Sequence, residues 1–398
     1  MSNLRVSNRY QNPDLRLLAA ILCGDQPPQE VPPDRWGVMI DTAAVHSLLP
    51  MLLWTVKRAA PELVAGRAWE QVLTAARNSA VRHVWHEHAQ AQVNQALSAA
   101  GIPVVWLKGI ALAQTVFPQP ALRPMGDIDA LVPYEQREAA LELVRALGFE
   151  FYEYPKFTAS VTHKVEQHQD HHYRLRGGIN DSVFIELHYR IINDGRAVFP
   201  LQKEQWFLTQ IDTSIDTLPM LKPEAFLLHL CAHAVLHHGE DETLLSQYFD
   251  IHRLLINKPI DWSLLIDQAV NFRWSYAVEY AFLVTRTLFN SPIPDDVFTQ
   301  LQARRPRDEN AARIFGLQGH GANLQLVLGM LRGLSFGQKV RLLWDFAFPP
   351  PGYMRARYKV SPRVPIWVYY PRRWLHQAGV ILAWVWRRMT QIELFRRH

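Results

Sequence analysis

Apolar residues recur with a helical period through the first hundred residues of the chain and again beyond about residue 203. One helix is predicted to run from Asp14 to the residue before Gly24, because an acidic first turn and a following glycine are typical helix boundaries. A second, longer helical pattern ends at Gly101. We therefore expect an N-terminal helical region over residues 1–100 and a helical domain over residues 201–345.

Between these two regions the pattern changes to short apolar, β-branched runs that alternate with amphipathic segments. Five strands are predicted, at residues 102–107, 127–132 and 149–154 and as a pair within 171–191. Two helices are predicted between the first three strands, at residues 109–117 and 134–148. Strand, helix, strand, helix and then a hairpin indicate a small mixed α/β domain, which we place at residues 101–200.

Composition narrows the class of protein. A chain of 398 residues with 48% apolar and 20% charged residues is typical of two or three globular domains. The only cysteines, Cys23 and Cys231, lie in apolar helical contexts, which favours a reduced, cytoplasmic protein without disulfides. The N-terminus has no apolar core of a signal peptide, and we expect no transmembrane segment, since no apolar run approaches about 18 residues.

Two carboxylates interrupt the second predicted strand. Asp127 and Asp129 are separated by Ile128, so their side chains are expected to share one face of the strand. Ionised carboxylates this close repel each other unless a cation lies between them, and oxygen ligands of this kind suit Mg²⁺. An exposed strand face or a turn with two solvated aspartates is the alternative interpretation.

Two further stretches favour the metal interpretation. Lys108 and Gly109 lie where the first strand meets a helix, and a turn of this kind offers backbone N–H groups and a positive charge to a phosphate. Glu186 lies in an alternating apolar run with Phe184 and His188 on its own face. A carboxylate in such a strand is usually paired or bound to a metal, so Glu186 is a candidate third ligand.

The stretch WLKGIALAQTVFPQPALRPMGDIDALV, followed by IELHYRI, resembles the bacterial nucleotidyltransferase family of the DNA polymerase beta superfamily. The resemblance is to the branch with the motifs L-K-G, R-x-x-x-D-I-D-x-L-V and E-L-H-W/Y, and it is most specific over residues 104–190. It implies an α+β fold, in which a polymerase-beta-like mixed sheet of five strands is combined with N-terminal and C-terminal helical regions.

The resemblance also implies an activity: an acceptor attacks the α-phosphate of a nucleoside triphosphate, a nucleoside monophosphate is transferred and pyrophosphate leaves. Asp127, Asp129 and Glu186 are then the catalytic and metal-binding set, with Mg²⁺ or Mn²⁺ as the cofactor. Lys108 and Gly109 would bind the nucleotide, with ATP the expected donor. Arg123 would contact a phosphate or orient the carboxylates. Because protonated carboxylates would not serve, activity is expected to fall at acidic pH.

One departure from the superfamily keeps further functions open. The usual loop of the superfamily is Gly-Ser or Gly-Gly, whereas this chain has Lys108, Gly109 and Ile110 at that position. Transfer of a terminal phosphoryl group, as in a kinase, is therefore an alternative to nucleotidyl transfer onto a small molecule, sugar or peptide in a bacterial biosynthetic pathway. A toxin-like transferase that modifies tRNA or protein is also left open, and so is a non-catalytic binding module that retains the fold.

Two histidine clusters are further candidates. The first precedes the Glu186 strand and comprises His163, His168, His171 and His172. It could contact phosphate or a base, hold zinc, or be a surface hairpin, and His172 is the member expected nearest Glu186. The second comprises His229, His233, His237 and His238, with Glu240 and Asp241. His233, like His172 and His188, is a predicted substrate or phosphate contact, and metal ligation is the alternative.

The C-terminal segment, residues 346–398, is predicted to be a proline-rich linker followed by a basic, tryptophan-rich helix. From residue 337 onward there are twelve Lys or Arg and two acids, so the net charge of +5 belongs to this end of the chain. Residues 371–398 suit contact with an anionic membrane surface or with nucleic acid, and packing on the rest of the protein is the alternative. The expected location is cytoplasmic, with peripheral membrane attachment left open.

Overall fold

The computed structural model describes the part of the chain that carries the predicted core. The described residues are 4, 6–152, 172–192, 201–215, 217–239, 243–306, 309, 348, 365–371 and 374–375. His163, His168, His171, Glu240, Asp241 and most of the C-terminal segment lie outside them. The chain divides into two compact units, of which the first comprises Met1–Phe151, His171–Asp194 and Phe199–Glu309.

The N-terminal part of the first unit is helical, as the period predicts. Its four helices are α1 (Pro13–Cys23), α2 (Trp36–Val45), α3 (Leu49–Ala59) and α4 (Arg67–Ala99). The side chain of Asn12 caps α1 by accepting the Asp14 N–H at 2.8 Å, and Gly24 ends it in the left-handed conformation (φ 81°). The predicted long helix is continuous to Ala99, with Gly101 following at φ 70°.

A mixed sheet follows, built from β1 (Val105–Leu107), β2 (Ile128–Leu131), β3 (Glu150–Phe151), β4 (His172–Gly177) and β5 (Val183–His188). Helix α5 (Lys108–Thr115) connects β1 to β2, and α6 (Arg137–Ala146) lies between β2 and β3. β1 pairs antiparallel with β2, β2 pairs parallel with β5, and β4 and β5 form an antiparallel hairpin. The α+β class and the five predicted strands are confirmed.

The sheet is wider than the five predicted strands. β6 (Ile211–Asp212) and β7 (Met220–Leu221) extend it beyond β1, which gives the order β3-β4-β5-β2-β1-β7-β6. β7 runs parallel to β1, with Met220 opposite Trp106. β3 also has two residues, but it lies within the strand predicted at residues 149–154. No strand was predicted around β6 or β7, so only the tertiary pairing reveals these two.

The rest of the first unit is helical again. It contains α7 (Leu201–Thr209), α8 (Pro223–Ala232), a π-helix (His233–His238), α9 (Leu245–Asn257), α10 (Trp262–Phe272), α11 (Ser275–Phe289) and α12 (Asp295–Ala303). In α8 every residue from Ala225 to Ala232 is buried, so this helix is enclosed on all sides. Burial around the whole circumference, with mostly apolar side chains, is typical of a core helix. α8 continues directly into the π-helix.

The second unit contains residues 152–170, 195–198 and 310–398. Its described part includes a short 3₁₀ turn (Ile366–Val368) and an aromatic group in which the Phe348 ring lies 5.8 Å from Tyr370 and 5.2 Å from Trp374. Among the described helices of the whole chain, none is long and apolar enough to cross a membrane. The boundaries expected at residues 100, 200 and 345 stay predictions.

A buried histidine makes the stability of the first unit sensitive to pH. His46, at the end of α2, accepts the Leu245 N–H on its Nδ1 at 3.1 Å and so caps the start of α9. Burial, with the charge of Arg9 adding to it, lowers the pKa of His46 to about 4. The unfolded chain, with a histidine pKa near 6.5, then takes up the proton first, so stability is lost as the pH falls from about 6.5 toward 4.

We expect His46→Asn to reduce this acid sensitivity, because the asparagine oxygen can accept the same N–H without titrating. Between pH 7 and pH 5 the unfolding free energy of the variant should fall by about 1–2 kcal/mol less than that of the wild type. Urea unfolding at the two pH values measures the difference. The exposed His88 offers the control, and an equal change in His88→Asn would contradict the assignment to His46.

Candidate active site

The strand register brings the predicted carboxylates together. Asp129 in β2 lies opposite Glu186 in the parallel strand β5 and opposite Leu107 at the end of β1. Asp127 immediately precedes β2 and is two residues from Asp129. Two neighbouring strands therefore carry Asp129 and Glu186, Asp127 precedes one of them, and the junction from β1 to α5, with Lys108, lies beside them.

Asp129 is the most enclosed of the three, with 4% of its surface exposed. The Lys108 ammonium donates to its Oδ1 at 2.7 Å, and Nε2 of His188 lies 2.9 Å from the same oxygen. Burial alone would raise the pKa of Asp129, but Lys108 and His188 outweigh it and hold that pKa below the usual range. Burial alone would lower the pKa of Lys108, but Asp129 and the other nearby carboxylates outweigh burial and the pKa is raised. Both groups are therefore charged near neutral pH.

Asp127 is in the opposite electrostatic situation. Its closest described ion-pair contact is from Nη2 of Arg174, 3.7 Å from its Oδ2. Burial, followed by repulsion from Asp129 and from Glu186, raises the pKa of Asp127 to about 6. Asp127 is consequently the first of the three carboxylates to take up a proton as the pH falls.

Glu186 is surrounded by nitrogen atoms. Its Oε1 lies 3.7 Å from Nε2 of His172 and 3.8 Å from Nη1 of Arg174, and its Oε2 lies 3.5 Å from Nε2 of His188. Burial would raise the pKa of Glu186, but the hydrogen bond from His188 and the other neighbours bring it to about 2. Burial lowers the pKa of His172 to about 4, with the charge of His188 adding to it. The predicted contact of His172 with the Glu186 strand is thus direct.

Arg174 is a residue of this site that was not predicted from the sequence. It stands opposite Glu186 in the β4–β5 hairpin, and its guanidinium reaches both Glu186 and Asp127. The signal was present, since Arg174 lies two residues after His172 and therefore shares its face of the strand. Identifying it required the hairpin register, because a shift of one residue would turn this side chain to the other face.

The predicted phosphate loop has an unusual backbone. Lys108 adopts φ 46°, a left-handed conformation that is uncommon for a residue other than glycine. A Cβ atom at Gly109 would lie 3.2 Å from Nη1 of Arg123 and 3.3 Å from Cβ of Met125. The glycine thus lets the Arg123 guanidinium approach the backbone of the loop closely.

Arg123 connects this loop to the C-terminal helices. Its Nε and Nη2 donate to the two carboxylate oxygens of Asp250 in α9, at 3.2 and 2.6 Å, and its Nη1 donates to the Pro124 carbonyl at 2.7 Å. Asp250 thus makes its ion pair with Arg123 and not with Arg253, which lies three residues away in α9. The Nε of Arg253 instead donates to the Val116 carbonyl at 2.9 Å, just after the end of α5. Arg123 thus holds the segment before Asp127 against α9.

The donor set fits a divalent cation. Both close contacts of Asp129 use Oδ1, so Oδ2 is the oxygen that a metal ion would take. Asp127 and Glu186 supply the remaining carboxylates, and burial followed by repulsion from Asp129 and Glu186 raises the pKa of Asp127. Carboxylate oxygens on neighbouring strands are suitable ligands for Mg²⁺ or Mn²⁺. A second set of mutually close ligand atoms, within 4.8 Å of one another, comprises His172, Glu186 and His188.

The second histidine cluster lies on α8 and the π-helix. The rings of His229 and His233 are 5.9 Å apart, and those of His233 and His237 are 5.0 Å apart. His229 is buried, and neither of its ring nitrogens has a hydrogen-bond partner among the described residues. Burial lowers its pKa well below the usual value, and the charges of Lys108, His188 and Asp129 also act on it. The buried His229 at one end of this row of rings is therefore subject to the charges of the carboxylate site.

Two cavities border the carboxylate strands. One of about 450 Å³ is lined by α2, α3, α4 and the segment Pro124–Gly126 that leads into Asp127. The other, of about 430 Å³, reaches Phe184 and Arg176. Asn78 and Arg82 of α4 line both of them. Volumes of this size suit a small-molecule substrate.

A family profile described as an uncharacterised nucleotidyltransferase matches residues 32–290. The matched span is well over half of the chain and includes Lys108, the three carboxylates and α8. The chain belongs to this nucleotidyltransferase family. No curated protein and no solved structure matches the chain significantly. Family membership supports a transferase with a nucleotide as substrate, and nucleotidyltransferases generally use divalent metal ions.

Breaking the buried Arg123–Asp250 ion pair should greatly lower the unfolding free energy of this nucleotidyltransferase. We expect Asp250→Asn to lower the unfolding free energy by about 3 kcal/mol, because the guanidinium is left buried without its counter-charge. Urea unfolding at neutral pH measures the change. The exposed pair of Arg304 and Asp267 is the matched control, and Asp267→Asn should cost less than about 1 kcal/mol. Equal losses in the two variants would refute the assigned role.

Proposed function

We propose that the protein is a Mg²⁺-dependent nucleotidyltransferase, with Mn²⁺ as a substitute, that moves a nucleoside monophosphate from a nucleoside triphosphate to a hydroxyl or similar acceptor. ATP is the proposed donor, and a small molecule, sugar or peptide in a bacterial biosynthetic pathway is the proposed acceptor. The observation that carries this proposal is the register that sets Asp129 against Glu186, with Asp127 two residues away. Membership of the nucleotidyltransferase family supports the reaction class.

In the proposed reaction the acceptor oxygen forms a bond to the α-phosphorus, the bond from that phosphorus to the bridging oxygen breaks, and pyrophosphate leaves. Asp127, Asp129 and Glu186 would hold the metal ion, which would supply charge neutralisation at the transferred phosphate. Glu186 helps to activate the acceptor hydroxyl. The cavity of about 450 Å³ is the proposed substrate site, because its lining includes Gly126, the residue before Asp127. Positioning and charge neutralisation are the main requirements of such a transfer.

Several cationic and polar groups are proposed to hold the phosphates. Lys108 and Gly109 would contact the nucleotide, with the Lys108 ammonium shared between Asp129 and a phosphate oxygen. Arg174, which already reaches two carboxylates, is a further proposed phosphate contact. Arg123 is proposed to act by positioning the loop, because Asp250 and Pro124 engage three of its donors. His172, His188 and His233 remain proposed substrate or phosphate contacts.

One observation favours a second candidate reaction. The loop after β1 has Ile110 where the superfamily's serine would offer a hydroxyl to a phosphate, so transfer of the terminal phosphoryl group, as in a kinase, is the alternative. The products separate the two reactions. Nucleotidyl transfer from ATP releases pyrophosphate, whereas phosphoryl transfer releases ADP.

Asp127→Asn is expected to abolish metal-dependent transfer while the protein stays folded, because the substitution removes one carboxylate and keeps its shape. Transfer of label from α-³²P-labelled nucleoside triphosphates to material of a cell extract measures the activity. The exposed Asp41 provides the control, and Asp41→Asn should retain full activity. Full activity in Asp127→Asn would remove the basis of the proposal. Absence of nucleoside triphosphate binding in calorimetry with Mg²⁺ would favour a non-catalytic module.

The C-terminal segment is proposed to attach the protein peripherally to an anionic membrane surface, with nucleic-acid contact, as in a tRNA-modifying toxin-like enzyme, as the alternative. The described residues at its start expose large apolar side chains, with Trp367 at 70% and Leu375 at 76% exposure. Aromatic side chains beside arginines suit a lipid interface. The proposed location is accordingly cytoplasmic, with part of the protein at the membrane.

Removal of residues 371–398 should reduce binding to vesicles that contain anionic lipid and leave the weak binding to neutral vesicles unchanged. Co-sedimentation of the full chain and the truncated chain measures this. Parallel titration with RNA tests nucleic-acid contact, since a loss confined to RNA would show that the segment contacts nucleic acid. Unchanged binding in both titrations would mean that the segment packs on the protein.

A further inference from the structure

The π-helix that continues α8 gathers three histidines. His233, His237 and His238 occupy its first and last two positions. In an α-helix, with 3.6 residues per turn, His238 would point about 140° away from His233. The wider turn of a π-helix, closed by i→i+5 hydrogen bonds, returns the fifth residue to nearly the same side. The irregular helix is therefore what brings His238 to the face that already carries His233 and His237.

Buried contacts hold this irregular turn. Oγ1 of Thr243 lies 2.5 Å from the Ala234 carbonyl oxygen and 2.8 Å from that of Gly239, so its one O–H hydrogen is shared between carbonyls within and just after the π-helix. Gly239 itself has φ 93°, which turns the chain sharply after His238. Thr243 is fully buried. Insertions of π-helical geometry are frequently found at functional sites.

The three rings form a compact set. Their centroids are 5.0 Å apart for His233 and His237, 4.6 Å for His233 and His238, and 5.0 Å for His237 and His238. One ring nitrogen from each lies within 4.8 Å of the other two. Side-chain rotation by a small amount would let three such nitrogens converge on an ion at the usual zinc–nitrogen distance of about 2.0–2.1 Å.

The protonation states of His233 and His238 suit metal ligands. Burial lowers the pKa of His238 to about 4, with the charges of His237 and then Lys108 adding to it. Burial, followed by Lys108, holds the pKa of His233 well below its usual value. These imidazoles are neutral at physiological pH, and only a neutral imidazole binds a metal ion. The charge of Lys108 is itself balanced by Asp129 at 2.7 Å, which limits its repulsion of a cation.

We propose that His233, His237 and His238 form a binding site for a divalent transition-metal ion of the zinc type, separate from the carboxylate site. Imidazole ligands favour Zn²⁺, whereas the carboxylates of Asp127 and Asp129 favour Mg²⁺ or Mn²⁺. Three protein ligands leave a fourth position of a tetrahedral ion open to water or to an anionic group. A phosphate contact of His233 would then be made through the bound ion. The site stands independently of the proposed transfer reaction.

Co²⁺ is the probe, because it replaces zinc and its visible absorption reports four-coordinate binding. The full chain, free of any affinity tag, should bind one equivalent at the histidine cluster. His233→Ala and His237→Ala should each weaken this binding at least tenfold, while the exposed His88→Ala should not change it. Glu186→Gln should also retain the signal, which separates this cluster from the set of His172, Glu186 and His188.

His237→Cys gives a positive test. His237 is exposed, so its replacement leaves the core intact, and unchanged urea unfolding of the metal-free variant verifies this. A thiolate at this position should add an intense near-ultraviolet sulfur-to-cobalt band, and His88→Cys should show none. Unaltered Co²⁺ affinity in both His233→Ala and His237→Ala, or the absence of the sulfur band in a folded His237→Cys, would overturn the proposal.

Discussion

Electrostatic repulsion among three carboxylates in a small, partly buried space is the interaction on which this protein's architecture depends. Asp129 is tolerated inside the sheet because Lys108 and His188 contact one of its oxygens. Glu186 stays ionised because histidine nitrogens and Arg174 surround it. Burial, followed by repulsion from Asp129 and Glu186, raises the pKa of Asp127. A bound divalent cation would reduce that repulsion. The candidate cation site therefore lies where Asp129 of β2 faces Glu186 of β5, next to the end of β1.

The helices after the sheet complete this site. The bidentate bond from Arg123 to Asp250 joins the segment before Asp127 to α9, so the position of the carboxylate loop depends on the helical domain. The buried helix α8 places His229 within the field of Lys108 and Asp129 and then changes to a π-helix at His233. Sheet and helices therefore belong to one compact unit, and the candidate site lies where they meet.

Much of the core could be predicted from local pattern. The β-branched runs around Val105 and Ile128 and the alternation around Glu186 correspond to strands, and the glycine after α1 ends a helix. The pairing of Asp250 could not be predicted, because its partner Arg123 is distant in sequence, while Arg253, three residues away, was the nearer choice. Arg174 could not be predicted for a similar reason, because its position opposite Glu186 depends on the register of the β4–β5 hairpin.

The sequence by itself determined the α+β class, because helical and strand periods are local patterns. Its motifs carry the family resemblance, and that resemblance makes Asp127, Asp129 and Glu186 the candidate ligands. Only the tertiary structure decided which cation neutralises which carboxylate, that the sheet has seven strands, and that His238 joins His233 and His237 on one face. These properties depend on contacts between residues far apart in the chain or on the pitch of one helical turn. Local residue patterns do not encode distances of that kind.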